Sequence, residues 1–203
     1  ANHNLSTQIM FADHQYSNND SWFRPSTSTL AINNGRDGEA SRAYSKERQY
    51  VVEWLTNYST RIADKHNIKA MVGYSYQYSQ YQGFNVENKD FPNDGLGADN
   101  MGSGELAKEE GEVLMGSYKN DAKLISFFGR VSYDYEGKYL FTASLRHEGS
   151  SKFGANHKWG AFPAVSAGWR ISQESFMKDI EWINDLKIRG DYGVTGNQDF
   201  GSY

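Results

Sequence analysis

Between Lys123 and Asn197 the chain alternates apolar and polar residues in short runs separated by breaks. From Ile125 onward, Ile125, Phe127, Val131, Tyr133 and Tyr135 stand against Ser126, Arg130, Ser132 and Asp134. The next run sets Tyr139, Phe141, Ala143 and Leu145 against Thr142, Ser144 and Arg146. A third sets Trp159, Pro163, Val165, Ala167, Trp169 and Ile171 against Ser166, Gly168 and Arg170, and a fourth sets Leu186, Ile188, Tyr192 and Val194 against Lys187, Arg189, Asp191 and Thr195. A period of two belongs to a strand with one oily and one wet face, and no helix holds it. An oily face suits the core of a soluble sandwich as well as a bilayer, so alternation alone leaves both open.

Upstream the same period continues. Leu5 to Ala12 reads as a first strand, followed by a polar, turn-rich region from Asp13 to Gly38. Arg42 to Thr60 reads as a long strand, a tight turn follows at Ala63–His66, and the return strand carries Ile68, Ala70, Val72, Tyr74, Tyr76 and Tyr78 against Lys69, Gly73, Ser75, Gln77 and Ser79. Residues 83–121 then read as one long irregular loop, rich in glycine and acidic residues. In a bacterial barrel the long connections face outside and the short ones face the periplasm. The breaks obey that parity. Ala63–His66, Glu136–Lys138 and the connection 172–185 fall on one side, whereas 83–121 and Gly149–Lys158 fall on the other. The 172–185 connection is long for a periplasmic turn, and Ser172 with Glu174 is placed to start a helical turn that would set Phe176, Met177, Ile180 and Trp182 at an interface or in a short connecting helix.

Aromatic residues mark the strand ends: Tyr133, Tyr135 and Tyr139 flank the Glu136–Lys138 turn, while Trp159 and Trp169 bracket one run, as interfacial girdles would. No apolar run approaches the ~18 residues of a spanning helix, so a membrane protein with this sequence must be a barrel. The formal net charge of −4 offers no basic stripe for nucleic acid, and the absence of cysteine excludes disulfides, thiolate metal sites and a cysteine nucleophile. The start, Ala1-Asn2-His3-Asn4, has neither the basic residues nor the apolar run of a signal peptide. The expected fold is all-β: an antiparallel transmembrane β-barrel segment of about seven strands with long extracellular loops, all of residues 1–203 in one barrel domain. Seven strands fall short of the smallest single-chain barrel, about eight, and open edges in lipid leave backbone groups unbonded, so the segment is expected to be part of a larger barrel.

Four ordered signatures then carry a resemblance: Arg146-His147-Glu148-Gly149-Ser150-Ser151-Lys152-Phe153-Gly154; Trp159-Gly160-Ala161-Phe162-Pro163-Ala164; Gly168-Trp169-Arg170-Ile171-Ser172-Gln173-Glu174-Ser175-Phe176; and Leu186-Lys187-Ile188-Arg189 with Tyr192-Gly193-Val194-Thr195-Gly196-Asn197. They resemble the barrel of SusC/RagA-type TonB-dependent outer-membrane transporters of Bacteroidota. The match is dense over Leu124–Asn197, looser over Gln49–Gln82, and departs at Gly190-Asp191, where small or hydroxyl residues are expected. The resemblance implies a cell outer-membrane, multi-pass β-barrel with a plug inside it and a TonB-contacting segment near the N-terminus of the complete protein. It also implies a SusD-like surface lipoprotein as partner, and an oligosaccharide or peptide as substrate. Neither plug nor TonB box is visible in these residues, so the chain would supply barrel wall and outer loops.

Candidate residues follow from face and place. Arg130, Arg146, Arg170 and Arg189 sit at polar positions, where they would hold the plug or line a wet path, or serve only as wall electrostatics. Tyr81 and Phe84, at the mouth of the long loop, are candidates for stacking on substrate, the alternative being an aromatic girdle. No catalytic or metal set stands out: His147 and Glu148 are adjacent in a strand and point apart, and neither a Gly-x-Ser-x-Gly elbow nor a His-Glu-x-x-His pair occurs. No cofactor is expected. A structural Ca²⁺ among Asp94, Asp99, Glu105, Glu109, Glu110 and Glu112 is the exception to weigh against a solvated acidic loop, since their spacing is not that of an EF-hand. Two other function classes stay open at this point: an outer-membrane barrel enzyme or adhesin, and a soluble all-β glycan-binding module.

Overall fold

The computed structural model describes residues 2–109, 114–154, 156–177, 180 and 182–196. Its strands are β1 (Asn2–Arg24), β2 (Glu39–Ile62), β3 (His66–Lys89), β4 (Met115–Tyr135), β5 (Tyr139–Ser150), β6 (Trp159–Arg170) and β7 (Lys187–Gly193). They form one sheet in sequential order, with β1 and β7 at its ends. The β4–β5, β5–β6 and β6–β7 pairs are antiparallel.

Two hairpin loops are set by backbone handedness. Ala63 and Asp64 both have positive φ (51° and 56°), and the Lys65 N–H reaches the Ile62 carbonyl at 3.2 Å. Glu136 and Gly137 repeat the arrangement (φ 53° and 70°), closed by Lys138 N–H to Tyr135 O at 2.9 Å. Two consecutive left-handed residues give the type I′ turn, whose twist matches that of paired strands. Asp134 supports the second turn by accepting the Gly137 N–H at 2.7 Å.

Strand order and the tight turns follow the sequence pattern, but three boundaries differ from it. The turn-rich reading of Asp13–Gly38 is corrected: β1 runs on through Arg24, and only then does a short helix, α1 (Thr29–Asn33), intervene. The irregular segment is also shorter than 83–121, because β3 continues to Lys89 and β4 begins at Met115. The extensions of β1 and β4 share one cause: backbone ladders do not require apolar side chains, and residues 13–22 and 115–121, exposed almost throughout, show no alternation to read. Among its described residues, the 172–185 connection carries two 3₁₀ turns, Ile171–Gln173 and Ser175–Met177.

The chain divides into two compact units, residues 1–12, 50–78 and 122–203 in one, and 13–49 with 79–121 in the other. The buried hydrophobic residues among those described, Ala31, Ala40, Phe91 and Leu106, all belong to the second. There the Phe23 and Phe91 rings meet edge-on at 5.8 Å. Asn88, buried, donates to the carbonyls of Met101 (2.8 Å) and Gly104 (2.9 Å) and so ties the loop to β3. Buried Glu39 pairs with Arg24 and, at 3.6 Å, with Lys89.

In the first unit the registers of β4 from Leu124, β5, β6 and β7 sort their side chains to two faces. Phe127, Val131, Tyr133, Phe141, Leu145, Val165, Trp169, Ile188 and Tyr192 lie on one side, where all but Tyr133 are exposed. Every Asp, Glu, Lys and Arg in these registers lies on the other: Arg130, Asp134, Arg146, Glu148, Arg170, Lys187, Arg189 and Asp191. An apolar face without a single such charge, and exposed, is the reverse of a soluble sheet, which turns its oily side inward.

Candidate functional site

The polar face of the first unit is densely organised around Arg146. Its Nη2 donates to Ser126 Oγ at 2.9 Å, its Nε meets Glu148, and the Ser126 hydroxyl donates to the same Glu148 oxygen at 3.1 Å. Strand spacing makes the triangle. Arg146 and Glu148, two apart on β5, share a face, and Ser126 stands directly opposite Glu148 on β4. Ser126 is fully buried, so its hydroxyl must be bonded within the protein. The Arg146 guanidinium also lies 5.8 Å above the Phe128 ring, which fixes it from a second side.

Arg146 and Glu148 border a cleft of about 460 Å³ whose other walls include Phe153, His157, Lys158 and Phe162. Aromatic rings beside a charged hydrogen-bonding pair can accept an amphipathic solute such as a sugar or peptide. The other expected arginines share this face but not this cleft. Arg170 approaches Asp185 at 3.8 Å, Arg189 approaches Asp191 at 3.6 Å, and Arg130 lines a separate hollow. His147 stands opposite Ala161 on the apolar face, its ring stacked on Trp159 at 4.8 Å, and thus points away from Glu148.

The turn end of the same unit carries an ionic chain. Lys65 meets Glu136 at 2.7 Å, Lys138 lies 3.5 Å from Glu136 and 3.9 Å from Glu174, and Glu174 accepts from the Tyr139 hydroxyl (2.6 Å) and the Trp169 indole (3.0 Å). The hydrogen bond from Lys65, followed by the charges of Lys65 and Lys138, holds the Glu136 carboxyl below its usual range. Glu174 is lowered by the hydrogen bonds from Tyr139 and Trp169, and Lys65 is raised by the hydrogen bond to Glu136 and its charge.

In the second unit Tyr81 and Phe84 do not form one site. Three apart on β3, they face opposite sides. The Tyr81 hydroxyl donates to Glu47 at 2.9 Å and receives from Gln49 at 3.3 Å, so it is engaged within the wall. Phe84 tilts against Tyr44 with centroids 6.0 Å apart and, with Tyr44 and Tyr118, lines a cleft of about 430 Å³. The acids of the loop diverge. Asp94 accepts from the Ser26 N–H and hydroxyl, Asp99 is exposed, and Glu105 pairs with Lys108 at 2.8 Å. Glu110 and Glu112 lie outside the described residues, as does Asn197, and no group of three potential metal ligands gathers among those described.

Ser126 and Phe128 carry no signal of their own in the sequence, where Glu148 reads only as a neighbour of His147. The i, i+2 spacing of Arg146 and Glu148 was a readable signal for the pair; their contact with Ser126 needed the register.

Comparison with known proteins gives a consistent picture. The model of the family described as TonB dependent receptor-like, beta-barrel matches residues 2–203. A TonB-dependent receptor of Formosa agariphila is 37% identical over 175 residues, covering 86% of this chain and 16% of that protein. The TonB-dependent receptor SusC of Bacteroides thetaiotaomicron is 42% identical over 85 residues, 42% of this chain and 8% of that one. Among solved structures, that of the RagAB peptide transporter superposes with a TM-score of 0.85 at 22% identity, covering 98% of this chain and 21% of that one. The chain thus spans under a fifth of the length of the first of these relatives.

Proposed function

The chain belongs to the TonB-dependent receptor-like β-barrel family, and on that premise we propose that it forms part of the wall and outer loops of an outer-membrane importer of oligosaccharides or peptides, energised through TonB and partnered by a SusD-like lipoprotein. The observation that carries this reading is the exposed apolar face of the paired residues 124–135, 139–150, 159–170 and 187–193, which holds no Asp, Glu, Lys or Arg, opposite a face that holds all of theirs. Lipid solvates the first and water the second. The aromatic pairs lie at the two ends of that face: His147–Trp159 beside the 149–158 connection, and Tyr135–Tyr139 at 6.3 Å beside the tight turn. In this reading the connections after β3 and β5 are extracellular and 172–185 is periplasmic. The polar face, with Arg130, Arg146, Arg170 and Arg189, is then the lumen wall, and Tyr81, an even number of residues along β3 from Gly73, is the member of the Tyr81–Phe84 pair on that side.

Uptake by cells expressing the full-length protein tests this. Labelled oligosaccharides and peptides should enter only with both the protein and a working TonB, and the purified transporter should bring a surface lipoprotein with it. Entry unaffected by loss of TonB would refute the proposal.

A further inference from the structure

In the first unit Lys65 and Lys138 pair with Glu136, Arg146 with Glu148, Arg170 with Asp185 and Arg189 with Asp191. Lys69 and Arg130 differ. They line one hollow of about 350 Å³ together with Asn57, Ser59 and Ser132, and among the described residues neither has an ion pair. A smaller hollow of about 160 Å³ adjoins it, sharing Ser59 and Lys69. Asp134, which follows on the same face of β4, is committed to the Gly137 N–H.

Two cations beside one concavity repel each other unless an anion lies between them. The neutral groups are of the matching kind, since a serine hydroxyl and an asparagine amide donate to oxyanions as lysine and arginine do. Ser132 shares its hydroxyl with Thr142 at 3.1 Å, which holds it in place, and Arg130 stands opposite the small Ser144, so the hollow is not blocked from β5.

We propose that Lys69 and Arg130 form a subsite for an oxyanion borne by the solute: a carboxylate, sulfate or phosphate. The subsite rests on the reading of the polar face as the wet side of the wall. It favours anionic solutes over neutral ones, and its lysine and arginine divide the work, a point charge from one and a planar fork from the other.

The test uses the full-length transporter in nanodiscs with lysines dimethylated by ¹³C-formaldehyde, the Lys69 resonance being assigned by its loss in Lys69→Arg. Titration with sodium sulfate, phosphate or acetate should give a saturable shift for at least one of them, which identifies the oxyanion. Arg130→Gln should weaken that binding by about tenfold and Arg130→Lys should largely restore it. Heat-modifiable gel mobility verifies that each variant is assembled. A drift that chloride reproduces at equal ionic strength, or an affinity unchanged by Arg130→Gln, overturns the subsite. A cysteine at Ser144 separates the two levels. If a bimane attached there is quenched by brominated lipid, the wet-face reading fails with the subsite; if it is not, a failed titration refutes the subsite alone.

Discussion

The Phe128 ring covers Gly73 so closely that a Cβ on the glycine would lie 2.5 Å from Phe128 Cζ and 3.0 Å from the Trp54 carbonyl oxygen. Glycine on β3 is therefore the socket for an aromatic ring on β4, and that ring in turn lies beneath the Arg146 guanidinium. Gly73→Ala forces the ring out of this position at a cost of about 1–3 kcal/mol. Phe128→Leu in the same chain should recover part of the loss. Urea midpoints of the full-length barrel in lipid check both, and a Gly73→Ala protein as stable as the parent would contradict the packing.

Charge on the two faces should be unequal in effect. Val165→Arg places a cation on the face that carries none and should cost about 2–4 kcal/mol if that face is in lipid, whereas Ser144→Arg on the opposite face should cost little. Folding into bilayers, read by gel mobility, measures the difference. Equal effects would mean that both faces are in water.

Ser126 is fully buried and bonded to both Arg146 and Glu148. Ser126→Ala should destabilise the folded state by about 1–2 kcal/mol through the lost hydrogen bonds. Glu148→Gln should loosen Arg146 and change solute affinity in the cleft more than it changes stability, which paired binding and denaturation measurements would reveal.

The turn-end chain sets a pH dependence at both extremes. Glu136 and Glu174 are lowered in the folded state, so their contribution is present above the ordinary carboxylate value of 4.5 and is lost as pH falls through the folded values. Lys65 is raised, so its contribution is full below the ordinary value of 10.5 and disappears as pH climbs through the folded one. Protection factors of the amides at residues 134–140, corrected for intrinsic exchange, should fall in acid, and Glu136→Gln should flatten that response. An acid limb unchanged by the substitution would place its origin elsewhere.

Ala63 occupies a left-handed conformation that suits asparagine or glycine better. Ala63→Asn or Ala63→Gly should stabilise the β2–β3 hairpin by about 0.5–1 kcal/mol, seen as a raised urea midpoint. No gain would show that the turn relaxes in the assembled barrel.

The sequence by itself determined the strands of the first unit, the two tight turns and the face of each side chain. Period-two alternation encodes a face directly, and a two-residue turn fixes which residues stand opposite. It also separated His147 from Glu148, because neighbours on a strand point apart. It did not determine where β1 ends and β4 begins, because strands wetted on both sides leave no pattern and their pairing is carried by backbone. Nor did it determine which polar residues meet. Arg146 reaches Ser126 across β4, Phe128 rests on Gly73 across β3, and Lys69 shares a hollow with Arg130, all through registers between strands. Tyr81 and Phe84 show the division most simply: the sequence sets both at the mouth of the long loop as candidates for one role, and only the packed structure puts them on opposite faces of β3, engages one hydroxyl with Glu47 and leaves the other ring facing a cleft.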